Sequence, residues 1–197
     1  RQIEIFQRLR EALEEERTVR EVGLTQEEQA AIRDVELLTD KTIVLVLNIG
    51  EDQIGQETPA TQAFAAYASE HGYTWIALCA KVEAEVAQLE PEEESEFLEA
   101  MGIEEPARNR FIRVCYGSLG LISFFTVGED EVRAWTIRKE STAVQAAGKI
   151  HSDLARGFIR AETLPYERLR ETGSWNAAKE KGYLRLEGKE YRVQDGD

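Results

Sequence analysis

The chain opens on apolar residues at Ile3, Phe6, Leu9 and Leu13, set in a dense glutamate and arginine surface. A stripe that narrow at helical spacing predicts one helix of a packed hairpin or coiled-coil arm; an ordinary amphipathic helix on a globular core fits the spacing equally well. Leu24 followed by Thr25-Gln26-Glu27-Glu28 has the form of a capping box, in which hydroxyl and carboxylate each accept from the other residue's backbone N–H. A second helix is expected from there through Ile32, Val35 and Leu38. The pattern then changes. Residues 43–47 are consecutively apolar, as in a parallel strand buried on both faces, and the run stops at Asn48-Ile49-Gly50-Glu51. Thr58-Pro59 reads as an N-cap with proline at the first helical position, opening a helix through Phe64, Tyr67 and Ala68 that His71-Gly72 closes. Residues 73–79 form the next expected strand and 82–89 the next helix. Glu90-Pro91-Glu92-Glu93-Glu94 reads as a solvated turn, with further helices at 97–101 and 110–116.

Beyond residue 120 the runs are short, β-branched and aromatic. Residues 123–127 and 132–137 predict two strands, and the polar link Gly128-Glu129-Asp130-Glu131 makes them a hairpin. A helix at 142–150 and a strand at 158–161 follow, which suggests a small mixed sheet with a helix packed across it. A helix pair at 166–169 and 175–179, then closing hairpin strands within 182–193, complete the expected order.

Composition narrows the class. A chain of 197 residues with 42% apolar content can build one large core or two small ones. No apolar run approaches the roughly 20 residues of a membrane span. Cys79 and Cys115 lie far apart, without CxxC spacing and with only two histidines, which argues against a zinc site or disulfide framework and for a reducing, cytoplasmic setting. The chain begins at Arg1 and its only methionine is Met101, so a piece of a longer polypeptide is expected. The charge is uneven. Residues 119–197 balance at 13 basic and 13 acidic, whereas 1–118 hold 11 basic and 25 acidic and carry the whole net charge of −14. The change predicts a domain boundary near 118, and it directs any contact with RNA to the second half.

Candidate chemistry sits first at the end of the 43–47 strand. In open α/β sheets ligands bind at the carboxyl ends of the strands, and an asparagine and an acid there can read a nucleobase edge. Taken alone, Asn48 and Glu51 fit a loop cap and a solvated acid as well. Cys79-Ala80-Lys81 ends the following strand; Cys79 has no histidine beside it and reads as packing. A phosphate-binding GxxxxGK[ST] loop is absent, and Gly148-Lys149-Ile150, the nearest likeness, reads as a helix end. His151-Ser152-Asp153 are adjacent, so they cannot converge as a triad and read as a helix start. Arg133, Arg138, Lys149, Arg156 and Arg160 alternate with Phe124, Phe125, Trp135 and Phe158, which suits either RNA stacking or core aromatics between solvated charges.

Three strings in order, EVRAWTI, AAGKIHSDL and GFIRAE, closely resemble the C-terminal TGS module of the YchF/Obg-like ATPase family of P-loop proteins. GLTQEEQAAIRDVELLT is similar to the returning helix of that family's helical insertion, and ARNRFIRVCYGSLGLISFFT to its passage into the TGS module. The resemblance implies an α/β fold in three parts: the remainder of a coiled-coil arm over 1–40, the C-terminal part of a P-loop domain over 41–118, and a ubiquitin-like (β-grasp) TGS domain over 119–197. It implies that Asn48 and Glu51 read the base as an NxxE variant of NKxD, with Ile49 against the ring. The Cys79-Ala80-Lys81 loop, similar to the SAK loop, would touch the base from its far side. It further implies hydrolysis of ATP, or also GTP, with Mg²⁺ held by residues outside this sequence, and association of a cytoplasmic monomer with ribosomes or RNA. Without the phosphate loop these residues alone should hydrolyse nothing. A non-enzymatic RNA- or protein-binding TGS module and a guanine-specific GTPase are the alternatives. Glu140 and Val144 stand where the family has glycine and proline, so the turn after EVRAWTI is expected to differ in shape.

Overall fold

The computed structural model describes residues 1–128 and 131–197, so Glu129 and Asp130 of the expected hairpin link lie outside the described residues. The chain divides into two compact units, Arg1–Pro106 and Ala107–Asp197. The charge break near 118 thus falls one helix later than the break in packing.

The first unit begins with α1 (Gln2–Glu14), which buries Ile5, Leu9 and Ala12. Of the expected stripe Leu9 is buried, whereas Ile3, Phe6 and Leu13 are exposed. Ile5 and Leu9, one turn apart, instead meet Val19 and Ile32 in a small core. Its partner α2 (Gln26–Ala31) starts at the predicted Thr25–Glu28 capping box but is shorter than expected. Ile32 already leaves helical geometry as the C-cap, and Val35 and Leu38 stay exposed. Arg8 pairs with Glu28 at 2.5 Å across the two helices.

β1 (Val44–Asn48) and β2 (Thr74–Leu78) form a parallel pair in the register Val44↔Thr74 to Asn48↔Leu78. Parallel neighbours need a crossover, and α3 (Pro59–Glu70) supplies it, opened by the Thr58 hydroxyl that accepts from the Thr61 N–H at 3.2 Å. β1 is not buried on both faces as its composition suggested, since Val46 is 46% exposed. Among the described residues the sheet has two strands, and α3 packs on them while Val46 stays exposed. α4 (Ala80–Val86) and α5 (Pro91–Ala100) enclose Cys79, Val82, Val86 and Leu98. The acidic run at 90–94 is therefore not a turn. Glu90 is the N-cap, Pro91 the first helical residue, and Glu92, Glu93 and Glu94 occupy the first turn, where the helix dipole favours negative charge.

The second unit opens with α6 (Ala107–Ser118), which packs on β3 (Leu121–Val127). β3 pairs antiparallel with β4 (Val132–Arg138), from Leu121↔Arg138 to Val127↔Val132, and the Gly128 N–H donates to the Glu131 carbonyl at 2.9 Å. α7 (Ala143–Ile150) carries a Thr142–Gln145 capping box and is followed directly by α8 (Ser152–Gly157). Gly148-Lys149-Ile150 form the last turn of α7, as expected, and a Cβ on Gly148 would stand 3.4 Å from the Ala155 Cβ, so a small residue lets the two helices approach. β5 (Arg160–Thr163) starts two residues later than expected because Phe158 is still the C-cap of α8. After α9 (Tyr166–Thr172) and α10 (Trp175–Glu180), β6 (Arg185–Gly188) returns to pair antiparallel with β5. The closing hairpin within 182–193 is thus replaced by one strand that pairs with β5, plus a single bridge, Thr142↔Arg192. Ile122, Phe124, Ile137, Ala146 and Val193 make the core, with Trp135, Ile150 and Tyr191 at its edge.

The turn after β4 puts Glu140 at φ 68°, the left-handed region that a glycine occupies freely and that costs another residue about 1 kcal/mol. Its carbonyl accepts from the Arg192 guanidinium, which fastens the strained residue to the C-terminal stretch.

That stretch is held by its own carboxylates. Asp195 Oδ1 accepts from the Ser123 N–H at 2.8 Å. Asp197 takes the Tyr191 hydroxyl at 2.7 Å, the Arg185 guanidinium at 2.9 Å and the Gln194 N–H at 2.8 Å. Burial and the Asp197 carboxylate push the Tyr191 phenol up from 10.0 to about 12. The folded state thus favours the protonated phenol. The stabilisation is complete below pH 10 and is lost as pH rises from 10 toward 12. An alkaline titration followed by tyrosinate absorbance should show one late-ionising tyrosine, and Tyr191→Phe should remove that step.

Candidate functional site

The carboxyl ends of β1 and β2 lie side by side because the strands run parallel and in register. The Ile49 N–H continues the ladder by donating to the Leu78 carbonyl at 2.9 Å, so the two following loops leave the sheet together. Asn48 ends β1, and its side-chain oxygen accepts from the Ala80 N–H at 3.0 Å. That bond ties the first strand's end to the first turn of α4. It also fixes the carboxamide's orientation: with Oδ1 engaged, the Nδ2 donor is turned away from the α4 backbone.

Glu51 Oε1 lies 2.5 Å from Lys81 Nζ, an ion pair between the two loops. The hydrogen bond to Glu51, with the charges of Glu51 and Glu85, raises the Lys81 ammonium above its ordinary value. Both side chains remain open to solvent, at 42% and 70% exposure, so the pair is accessible to a ligand. Ile49 is half-buried against the cluster of Cys79, Val82, Val86 and Leu98, and Cys79 itself is buried. The six residues singled out in the sequence are therefore neighbours. Asn48 with Ala80 and Glu51 with Lys81 make the polar contacts, and Ile49 and Cys79 belong to the apolar cluster beside them.

Sequence reasoning passed over two supporting residues. Gly50 donates its N–H to Gln53 Oε1 at 3.0 Å, and a Cβ on Gly50 would fall 2.5 Å from Asp52 Oδ1. A side chain at 50 would make the exposed Asp52 carboxylate swing aside. The signal was the glycine between Ile49 and Glu51.

The five basic residues singled out in the second unit are only partly assembled. Arg138 and Lys149 line one groove of about 400 Å³ with Thr136, Ser141 and Gln145. Arg133 stacks over Trp135 at 4.3 Å from the ring centroid, Arg156 pairs with Asp153 at 3.2 Å, and Arg160 stands on β5. Trp135 is at the core's edge, its Nε1–H donating to Thr126 Oγ1 at 2.9 Å. His151 caps α8, its Nδ1 accepting from the Asp153 N–H at 3.2 Å, as a helix start requires. Among the described residues no group of three His, Cys, Asp or Glu is arranged to hold a metal ion, and no helix is long and apolar enough to cross a membrane.

These features define a mixed helix–strand protein of two units, the first with a polar cluster at the ends of parallel strands. A family model for the C-terminal region of YchF GTPases, described as a protein of unknown function (DUF933), matches residues 121–197. The chain is 47% identical over 200 residues to the ribosome-binding ATPase YchF of Bacillus subtilis, spanning all of this chain and 54% of that protein. It is 40% identical over 163 residues to human Obg-like ATPase 1, spanning 81% of this chain and 41% of that protein. The solved structure of the Schizosaccharomyces pombe YchF GTPase superposes with a TM-score of 0.78 at 29% identity, over 98% of this chain and 52% of that one. The chain belongs to the YchF/Obg-like ATPase family, corresponds to the C-terminal part of its members, and spans about half the length of the relatives it matches.

Proposed function

We propose that the chain is the base-recognition and C-terminal portion of a YchF-like P-loop hydrolase that acts on ATP, with GTP as a weaker substrate, and associates with ribosomes or RNA. The observation that carries the reading is the convergence of Asn48, Glu51, Ala80 and Lys81 at the ends of adjacent parallel strands. In this reading the first unit contains the remainder of a coiled-coil arm and the last part of the nucleotide domain, and the second is a β-grasp TGS domain. The exposed face around Val46 would be covered by upstream strands. The names of the relatives, ribosome-binding ATPase among them, support the ribosome association; a cytoplasmic, monomeric protein belongs to the same proposal.

Most affinity for a triphosphate comes from its phosphates and Mg²⁺. In this reading the Mg²⁺ ligands lie outside this sequence, and these residues, which lack a GxxxxGK[ST] loop, hydrolyse nothing alone. What this portion supplies is choice of base.

Calorimetric titration of the full-length protein with ATP and GTP tests the reading. ATP should bind more tightly, and Glu51→Asp should shift preference toward GTP by roughly tenfold, because a shorter acid restores the guanine-reading geometry. If neither nucleotide binds, the hydrolase reading falls and a TGS interaction module remains. Equal binding that ignores Glu51 would remove the base-reading role.

A further inference from the structure

The Glu51–Lys81 pair has a consequence for which base is chosen. A carboxylate alone suits guanine, whose N1–H and N2–H donate to its two oxygens side by side. Here Oε1 is occupied by Lys81, and the second oxygen has no partner among the described residues. The exposed rim of the strand ends therefore presents one free acceptor next to an ammonium that still has protons to donate. Adenine carries the complement on its Watson–Crick edge: the N6 amino group donates and N1 accepts. Guanine carries the opposite at N1, a donor that would face the ammonium. Asn48, with its oxygen held by the Ala80 N–H, keeps an Nδ2 donor for N7, which both purines share, and so does not discriminate between them.

From this geometry we propose that Lys81 is a specificity-determining residue of the base site, donating to adenine N1 while it ties one oxygen of Glu51 and so withholds the two-oxygen acceptor that guanine requires. The proposal rests on the base-site reading given above. It assigns Lys81 a part that Glu51 cannot play, because an acid offers nothing to an acceptor nitrogen. A donor facing a donor costs binding that a matched pair gains, so the pair acts both for adenine and against guanine.

The test uses the full-length protein, with ATP, GTP and 1-deaza-ATP, in which N1 is replaced by C–H, as calorimetric ligands. The wild type should bind 1-deaza-ATP roughly tenfold more weakly than ATP, the loss expected for one charge-assisted hydrogen bond. In Lys81→Met that gap should close, and the ATP-to-GTP preference should fall by a similar factor. Lys81→Arg, which keeps a donor, should restore part of both. The side chain is 70% exposed, so Lys81→Met should fold normally. A gap that persists in Lys81→Met, or a wild type that binds both adenine ligands equally, overturns the proposal. Asn48→Asp separates the two levels. If it weakens all three ligands while Lys81→Met changes nothing, Lys81 has no such role and the base site stands. If neither variant affects any ligand, the base site itself is wrong.

Discussion

Asp197→Ala should lower the unfolding free energy of the second unit by about 2–3 kcal/mol. The side chain is only 5% exposed and accepts from Tyr191, Arg185 and the Gln194 N–H. Removing it leaves the Tyr191 phenol and the Gln194 N–H without their acceptor, while Arg185 keeps the Tyr191 oxygen and Glu187, and the cost of such orphaned groups exceeds the net worth of the bonds themselves. Arg185 is 43% exposed and recovers some hydration, which keeps the figure below that of a fully enclosed pair. The effect should spread. The Asp197 carbonyl accepts from the Phe125 N–H at 2.8 Å, and the Gly196 N–H donates to the Ser123 carbonyl at 2.8 Å, so the same stretch completes the edge of β3. Urea unfolding followed at Trp135 and Trp175 should show an earlier midpoint. An unchanged midpoint would mean that the carboxylate network adds nothing to the core of Ile122, Phe124 and Ile137.

The second large effect belongs to Asn48. It has two tasks that different substitutions divide. Its oxygen holds the Ala80 N–H, and its Nδ2, in the proposed site, donates to purine N7. Asn48→Asp keeps an oxygen for Ala80 but puts an acceptor against an acceptor at N7. Binding of both ATP and GTP by the full-length protein should weaken tenfold or more, to about the same extent, with the melting temperature nearly unchanged. Asn48→Ala should lose binding and also loosen the start of α4, seen as faster hydrogen exchange at Ala80. Undiminished nucleotide binding in Asn48→Asp would show that this residue is a structural link and no more.

Much of this arrangement was legible in local chemistry. The caps at Thr25 and Thr58 depend on a hydroxyl and residues three positions away, so they read directly from the chain. The 43–47 and 73–79 runs and the strands around Phe124 and Trp135 were legible for the same reason, since β-branched and aromatic runs between turn residues leave few other choices. The 90–94 run misled because charge density suggests a loop, whereas proline at the first helical position followed by acids is also how a helix begins. Family strings identified the chain before any contact was known.

What the sequence determined by itself was the kind and order of most elements, the family, and the set of polar residues at two strand ends. These follow from periodicities and caps spanning a few residues, and from strings long enough to be distinctive. Only the tertiary structure decided which face of α1 is buried, where α2 stops, that β6 pairs with β5, and that Glu51 meets Lys81 across two loops 30 residues apart. Those are outcomes of competition among partners distant in the chain. A side chain's own neighbours in sequence cannot report which distant carboxylate, strand edge or apolar stripe it will meet.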